Sequence, residues 1–144
     1  MSQPVSYHLT EGTLPLPEAV QEQSITLLKL PKIGASLVVT RAWEVKAGEE
    51  EAYLQQQLAK VKRDMKKFAA DAVEDTTFGG IPAREVSMHF ENHGVVVMQK
   101  LLVVMLETHL MAVTFSRAAS FDEASLAVWQ NIKLGFVPAT GKEA

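Results

Sequence analysis

Val95-Val96-Val97-Met98-Gln99-Lys100-Leu101-Leu102-Val103-Val104-Met105-Leu106 is apolar at every position except Gln99 and Lys100. A turn signal, Glu91-Asn92-His93-Gly94, precedes it, and a second strand-like run follows from His109 to Arg117. Valine favours strands, and short apolar runs separated by turn residues predict an antiparallel ribbon. Strand side chains alternate between two faces. Val95, Val97, Gln99, Leu101, Val103 and Met105 occupy one face; Val96, Met98, Lys100, Leu102, Val104 and Leu106 occupy the other. An antiparallel sheet commonly leaves one face to water, but neither face here suits water. Both need cover.

The first candidate cover lies at residues 48–70, where Leu54, Leu58, Val61, Met65 and Phe68 recur at helical spacing and form one apolar stripe. Gly48 is an acceptable N-cap. Glu49, Glu50 and Glu51 sit at the positive end of the helix dipole, with Lys62, Arg63, Lys66 and Lys67 toward the negative end. The second candidate follows Ser120-Phe121-Asp122-Glu123, which reads as a capping box with Ser120 at the N-cap and Glu123 at N3. This short helix should turn Leu126, Trp129 and Ile132 or Lys133 inward and end at Gly135, with Phe136 packing back on the sheet.

Further strands complete the pattern. Tyr7-His8-Leu9 and Thr13-Leu14-Pro15-Leu16 read as edge strands about the Glu11-Gly12 turn, because Pro15 and Pro17 cannot donate to a central ladder. Ser24 to Leu30 is a strand, and Pro31-Lys32-Ile33-Gly34 turns the chain. Ala35 to Trp43 returns with Leu37, Val39 and Trp43 aligned, and Phe78-Gly79-Gly80-Ile81-Pro82 leads into a strand from Ala83 to Phe90. The expected fold is α+β: an antiparallel sheet of about six strands with one long and one short helix. It forms one domain over residues 6–137, with residues 1–5 and 138–144 as flexible ends.

Composition narrows the function. A chain of 144 residues, 47% hydrophobic and 22% charged, suits one soluble domain with a proper core. A net charge of -3 leaves no footprint for nucleic acid or an anionic membrane surface. No cysteine is present for disulfide or thiolate chemistry. The first thirty residues show no secretory pattern, and no apolar run is long enough to span a bilayer. Cytoplasmic residence and no direct membrane insertion are the expectations.

The chemical motifs point away from catalysis. His89 and His93 flank a turn with Glu91 between them, but a metal site would need a third convergent ligand. Gly79-Gly80 lacks the strand–loop–helix frame and following lysine of a phosphate loop. Consecutive Glu49, Glu50 and Glu51 diverge around a helix, and the Lys60 to Lys67 patch has no interleaved aromatic for base stacking. No nucleophile elbow occurs. An enzyme, a metal and a cofactor are not expected.

Apolar surface is the informative remainder. Either the two helices and the N-terminal segment bury all of it, or a patch stays open as a binding surface; the second reading is preferred. Two amides bear on this. Gln99 interrupts an apolar strand face, and Gln57 borders the helix stripe between Leu54 and Val61. A buried amide without a partner costs about 1–3 kcal/mol, so spacing alone favours internal pairing over a role in a groove.

The order of Tyr7-His8-Leu9-Thr10-Glu11-Gly12, Ser24-Ile25-Thr26-Leu27, Gln57-Leu58, Gly80-Ile81-Pro82-Ala83, Gln99, Thr114-Phe115-Ser116 and the capped last helix resembles the DcrB-like domain family. More closely it resembles the Eag chaperones of type VI secretion effectors, over residues 6–137. The resemblance implies a Mog1/PsbP-like fold and a homodimer forming a concave apolar bowl. The implied client is the N-terminal transmembrane region of a secreted effector, shielded from water until loading onto the secretion spike. It also implies that Ile25, Leu27, Gln57 and Gln99 line the bowl. Gln55-Gln56-Gln57 offers three helix candidates, of which Gln57 precedes Leu58 and borders the stripe. Two other readings stay open: a Mog1-like module binding a folded partner, and a carrier of a small apolar ligand, which would need an enclosed pocket.

Overall fold

The computed structural model describes residues 5–8, 10–17, 23 and 25–138. The main body is one seven-stranded antiparallel sheet with a helix on each face. Its strands are β3 (Thr26–Leu30), β4 (Ala35–Ala42), β5 (Lys66–Ala70), β6 (Glu74–Phe78), β7 (Ile81–Asn92), β8 (Val95–Met105) and β9 (Leu110–Arg117). They lie in the order β3-β4-β9-β8-β7-β5, with β6 also pairing with β7. The quoted stretch is β8, held between β7 and β9. A separate ribbon of β1 (Val5–His8) and β2 (Thr13–Leu16) precedes the sheet. Strands therefore exist near both expected places, at Val5–His8 and Thr13–Leu16, but they do not edge the main sheet. Leu9, Ser24, residues 1–4 and the expected frayed tail at 139–144 lie outside the described residues.

Helix α1 (Glu50–Asp64) covers one face, and α2 (Glu123–Gly135) the other. On the α1 side, Leu54 packs among Val86, Met88, Leu101, Val103 and Ala112. On the α2 side, Trp129 packs among Leu102, Val104, Val113 and Phe115, stacking on Phe115 with centroids 5.2 Å apart. Leu101 to Val104 are consequently buried on both faces. The first half of β8 is not: Val95 and Val96 are exposed, and residues 97–100 are half-buried.

Several boundaries differ from the sequence reading. The long helix ends at Asp64, not residue 70, and Lys66–Ala70 is a strand paired with β7. Val61, Met65 and Phe68 nonetheless pack on one cluster. Their spacing is right for a helix, and no glycine or proline marks the stop. The backbone satisfaction offered by β7 outweighs the helix preference of Lys and Ala. Glu49, not Gly48, is the N-cap of α1 and makes no side-chain cap bond. The α2 cap is Asp122: its carboxylate accepts from the Ser125 backbone N–H at 2.8 Å, and the Asp122 N–H donates to Ser125 Oγ at 2.8 Å. Ser120 stands outside this box. Leu126 is exposed instead of inward, whereas Trp129 and Lys133 are buried. Phe136 does pack back, its ring 4.5 Å from that of Phe78. Gly79 permits this contact: its φ is +60°, and a β-carbon there would collide with the Phe136 carbonyl.

Candidate functional site

The α1 face of the sheet is built from cross-strand rungs. One runs Val86, Leu101, Thr114, Val38, Leu27 across β7, β8, β9, β4 and β3. The next runs Met88, Gln99, Ser116, Ser36, Lys29. Residues sharing a rung share a face. Burial falls along the first: Val86 and Leu101 are buried, Thr114 and Val38 half-buried, and Leu27 is 57% exposed. Ile25, preceding β3, is 68% exposed. Leu27 thus extends, beyond the cover of α1, an apolar face whose other end is core.

Tyr53 links α1 to β4. Its hydroxyl hydrogen-bonds with Thr40 of β4, and burial raises its pKa above the ordinary 10.0, opposed by that bond and assisted by the nearby Glu44 charge. At the other flank Glu51 pairs with Arg84 of β7 at 3.0 Å. Gln57 stands one turn after Tyr53 on the same side of the helix. That side carries Tyr53, whose partner Thr40 lies on β4. Gln57 is half-buried, while Gln55 and Gln56 are exposed and Gln55 donates to Glu51 at 2.8 Å. Among the described residues Gln57 has no side-chain hydrogen bond. Of the three candidates it is the one turned toward the sheet.

Gln99 is half-buried on the same face and partly engaged. Ser116 Oγ donates to its Oε1 at 3.1 Å, and its Nε2 lies 3.7 Å from Met88 Sδ, the two partners being its neighbours on the rung. Internal pairing, which spacing favoured, is therefore present for Gln99, and among the described residues Gln57 shows none. The structure puts Leu27 and Gln99 on one sheet face, leaves Ile25 exposed just before β3, and half-buries Gln57 on α1. Sequence reasoning did not single out Val38, Thr114, Ser116 or Tyr53 as lining residues. Tyr53 had a signal in its i, i+4 spacing to Gln57; the others needed strand register.

The α2 side holds two features absent from the sequence reading. Glu85 is buried, accepting from Lys133 Nζ at 2.7 Å and from the Trp129 indole N–H at 2.9 Å. Lys133 also donates to Thr76, and Lys100 Nζ donates to Ser87 Oγ at 2.8 Å while lying 4.0 Å from Glu85. Nearby, an open groove of about 420 Å³ is lined by Leu37, Val39, Met111, Val113, Ile132 and Phe136. Among the described residues no cluster of three or more His, Asp or Glu is placed to hold a metal ion. No helix of the described residues is long and apolar enough to cross a membrane.

A family model described as DcrB matches residues 11–134. The protein of unknown function PA94 from Pseudomonas aeruginosa has a similar crystal structure, with TM-score 0.71 and 22% identity, covering 96% of this chain and 99% of that one. That likeness shows the fold. LpqN of Mycobacterium tuberculosis, described as involved in cell envelope biogenesis, aligns with TM-score 0.45 and 14% identity over 93% of this chain and 88% of its own. No curated protein matches the chain.

Proposed function

The chain belongs to the DcrB family, and from that premise we propose that it is an Eag-type chaperone for the N-terminal transmembrane region of a type VI secretion effector. The observation that carries this reading is the strip on the α1 face, with Leu27 and Ile25 exposed, and the half-buried amide of Gln57 on α1, which has no side-chain hydrogen bond among the described residues. A transmembrane helix satisfies its own backbone hydrogen bonds, so a water-borne carrier needs to supply apolar cover. Leu27, Val38 and Ile25 provide it. Gln57 is available to a client Ser, Thr or carbonyl, as polar side chains act between membrane helices. The proposed protein works as a cytoplasmic homodimer, without catalysis or cofactor, and releases its client at the secretion spike.

Ile25→Asp and Leu27→Asp test this. Each places a charge against an apolar helix, where an unpaired charge is costly. Co-expressed with an effector encoded beside it, the native protein should co-purify with the effector, and both variants should lose it. Both positions are exposed, so the variants alone should melt close to the native temperature. Retention of the effector by both would overturn the proposal. A second reading, a carrier of a small apolar ligand, would need the groove of about 420 Å³ on the α2 face, which is open, to close around its ligand. Displacement of a fluorescent fatty acid sensitive to Val39→Asp, and not to Leu27→Asp, would favour it.

A further inference from the structure

On the α2 face, the groove of about 420 Å³ meets a second one of about 730 Å³, and Arg41, Met111 and Phe136 line both. Strand register builds the floor of the first. Leu37, Val39 and Arg41 alternate along β4 and so share a face, with Val39 opposite Val113 and Arg41 opposite Met111 on β9. From Leu37 to Arg41 this floor runs about 13 Å. Ile132 and Phe136, partly buried against the core, form its α2 wall. The second groove continues to the turn between β8 and β9, where Glu107, Thr108 and His109 join an otherwise apolar lining beyond Arg41. Glu107 and Thr108 are exposed.

We propose that this double groove binds a long-chain carboxylate, with its hydrocarbon chain along Leu37, Val39, Val113 and Ile132 and its head group on Arg41. The inference rests on the reading of the α2 groove as a ligand site and gives that ligand a chemical class. Three observations select it. The floor is elongated and aliphatic, which suits a chain better than a compact ring. It is also made of side chains on a sheet face. An extended peptide laid there would bury backbone N–H and C=O groups without partners, whereas a hydrocarbon chain has none to satisfy. Finally, among the described residues Arg41 is the only charged group that lines both grooves. Its Nη1 donates to Thr26 Oγ1 at 3.1 Å, which ties it to β3. A guanidinium carries five N–H donors in a planar fork that matches a carboxylate, so Thr26 and a head group can be served together. An amphiphile keeps its head in water, and an open groove is then sufficient. Leu27 and Val38 occupy the opposite face of the sheet, so the ligand leaves the proposed client surface clear.

Calorimetric titration of the full chain with dodecanoate, kept below its micelle concentration, tests this. Binding should saturate at one dodecanoate per chain. Arg41→Gln should weaken it about tenfold or more, as loss of a charge-assisted hydrogen bond does. Dodecyl maltoside, with the same chain and a neutral head, should bind the native protein more weakly and be indifferent to Arg41→Gln. Asn131 is exposed and lines the first groove, so Asn131→Trp should fill the groove, stay folded by circular dichroism and lose dodecanoate. Leu27→Asp should bind it as the native chain does. If Arg41→Gln does not fold, the two head groups compared on the native chain decide. Absence of saturable binding would overturn both the proposal and the ligand reading beneath it. Equal affinity for the two amphiphiles, unchanged by Arg41→Gln, would overturn the carboxylate class and leave a carrier of apolar ligands standing. Binding lost in Leu27→Asp and kept in Asn131→Trp would put the chain on the α1 face and overturn the site. Asn131→Trp that instead loses the effector, or a dimer in sedimentation, would give the groove to a client helix or a second copy, and the proposal fails.

Discussion

Gln99 and Gln57 carry the same amide into different circumstances, and their substitutions should separate accordingly. Gln99 accepts from Ser116 and rests against Met88 within a rung. Gln99→Ala leaves a half-buried hydroxyl without its acceptor, a loss of about 0.5–1.5 kcal/mol. The melting temperature of the free protein should fall. Gln57 has no such bond among the described residues, so Gln57→Ala should leave the free protein unchanged and weaken effector retention. Equal melting temperatures for the two variants would contradict this division. Sequence position made both amides conspicuous by their apolar neighbours. Which one was already partnered depended on Ser116, seventeen residues away and adjacent only through the β8–β9 register.

At the level of elements, α2 is fastened by more than its apolar side. Ser125, Trp129 and Lys133 recur at four-residue intervals, and all are buried. Trp129 and Lys133 converge on the Glu85 carboxylate. Glu85→Ala would leave a buried ammonium and an indole N–H without their acceptor, and removing one partner of a buried pair typically costs about 3–5 kcal/mol. The urea midpoint should drop sharply. Glu85→Leu combined with Lys133→Met removes both charges and should recover much of the loss. A double variant no better than Glu85→Ala would show that the pair is not the fastening. The corresponding misreading at α1 has the opposite origin. Met65 and Phe68 fit its stripe, but the chain had already become β5, because β7 offered hydrogen bonds that local sequence does not reveal.

For the whole molecule, β8 and β9 contribute residues to both core clusters. The two faces should therefore unfold together despite having separate helices. Leu54→Ala on the α1 side should cost about 2–5 kcal/mol, and Trp129→Ala on the α2 side about 3–5 kcal/mol. Each should shift one common transition seen by circular dichroism and by tryptophan fluorescence. A biphasic melt in either variant would mean that the faces are independent units.

The amino-acid sequence by itself determined the α+β class, the central position of β8 and the need to cover both its faces, because those follow from composition, period and turn residues within short windows. It also carried the order of motifs that marked the family. Tertiary structure alone decided which part of that apolar surface stayed open. Val38, Thr114 and Leu27 meet only through pairing between strands distant in the chain, and how much of them α1 covers depends on how that helix docks on the sheet. The Glu85–Lys133 pair was hidden for the same reason, its members lying forty-eight residues apart on a strand and a helix. Periodicity shows that a face is apolar; only the packed elements determine what remains to be bound.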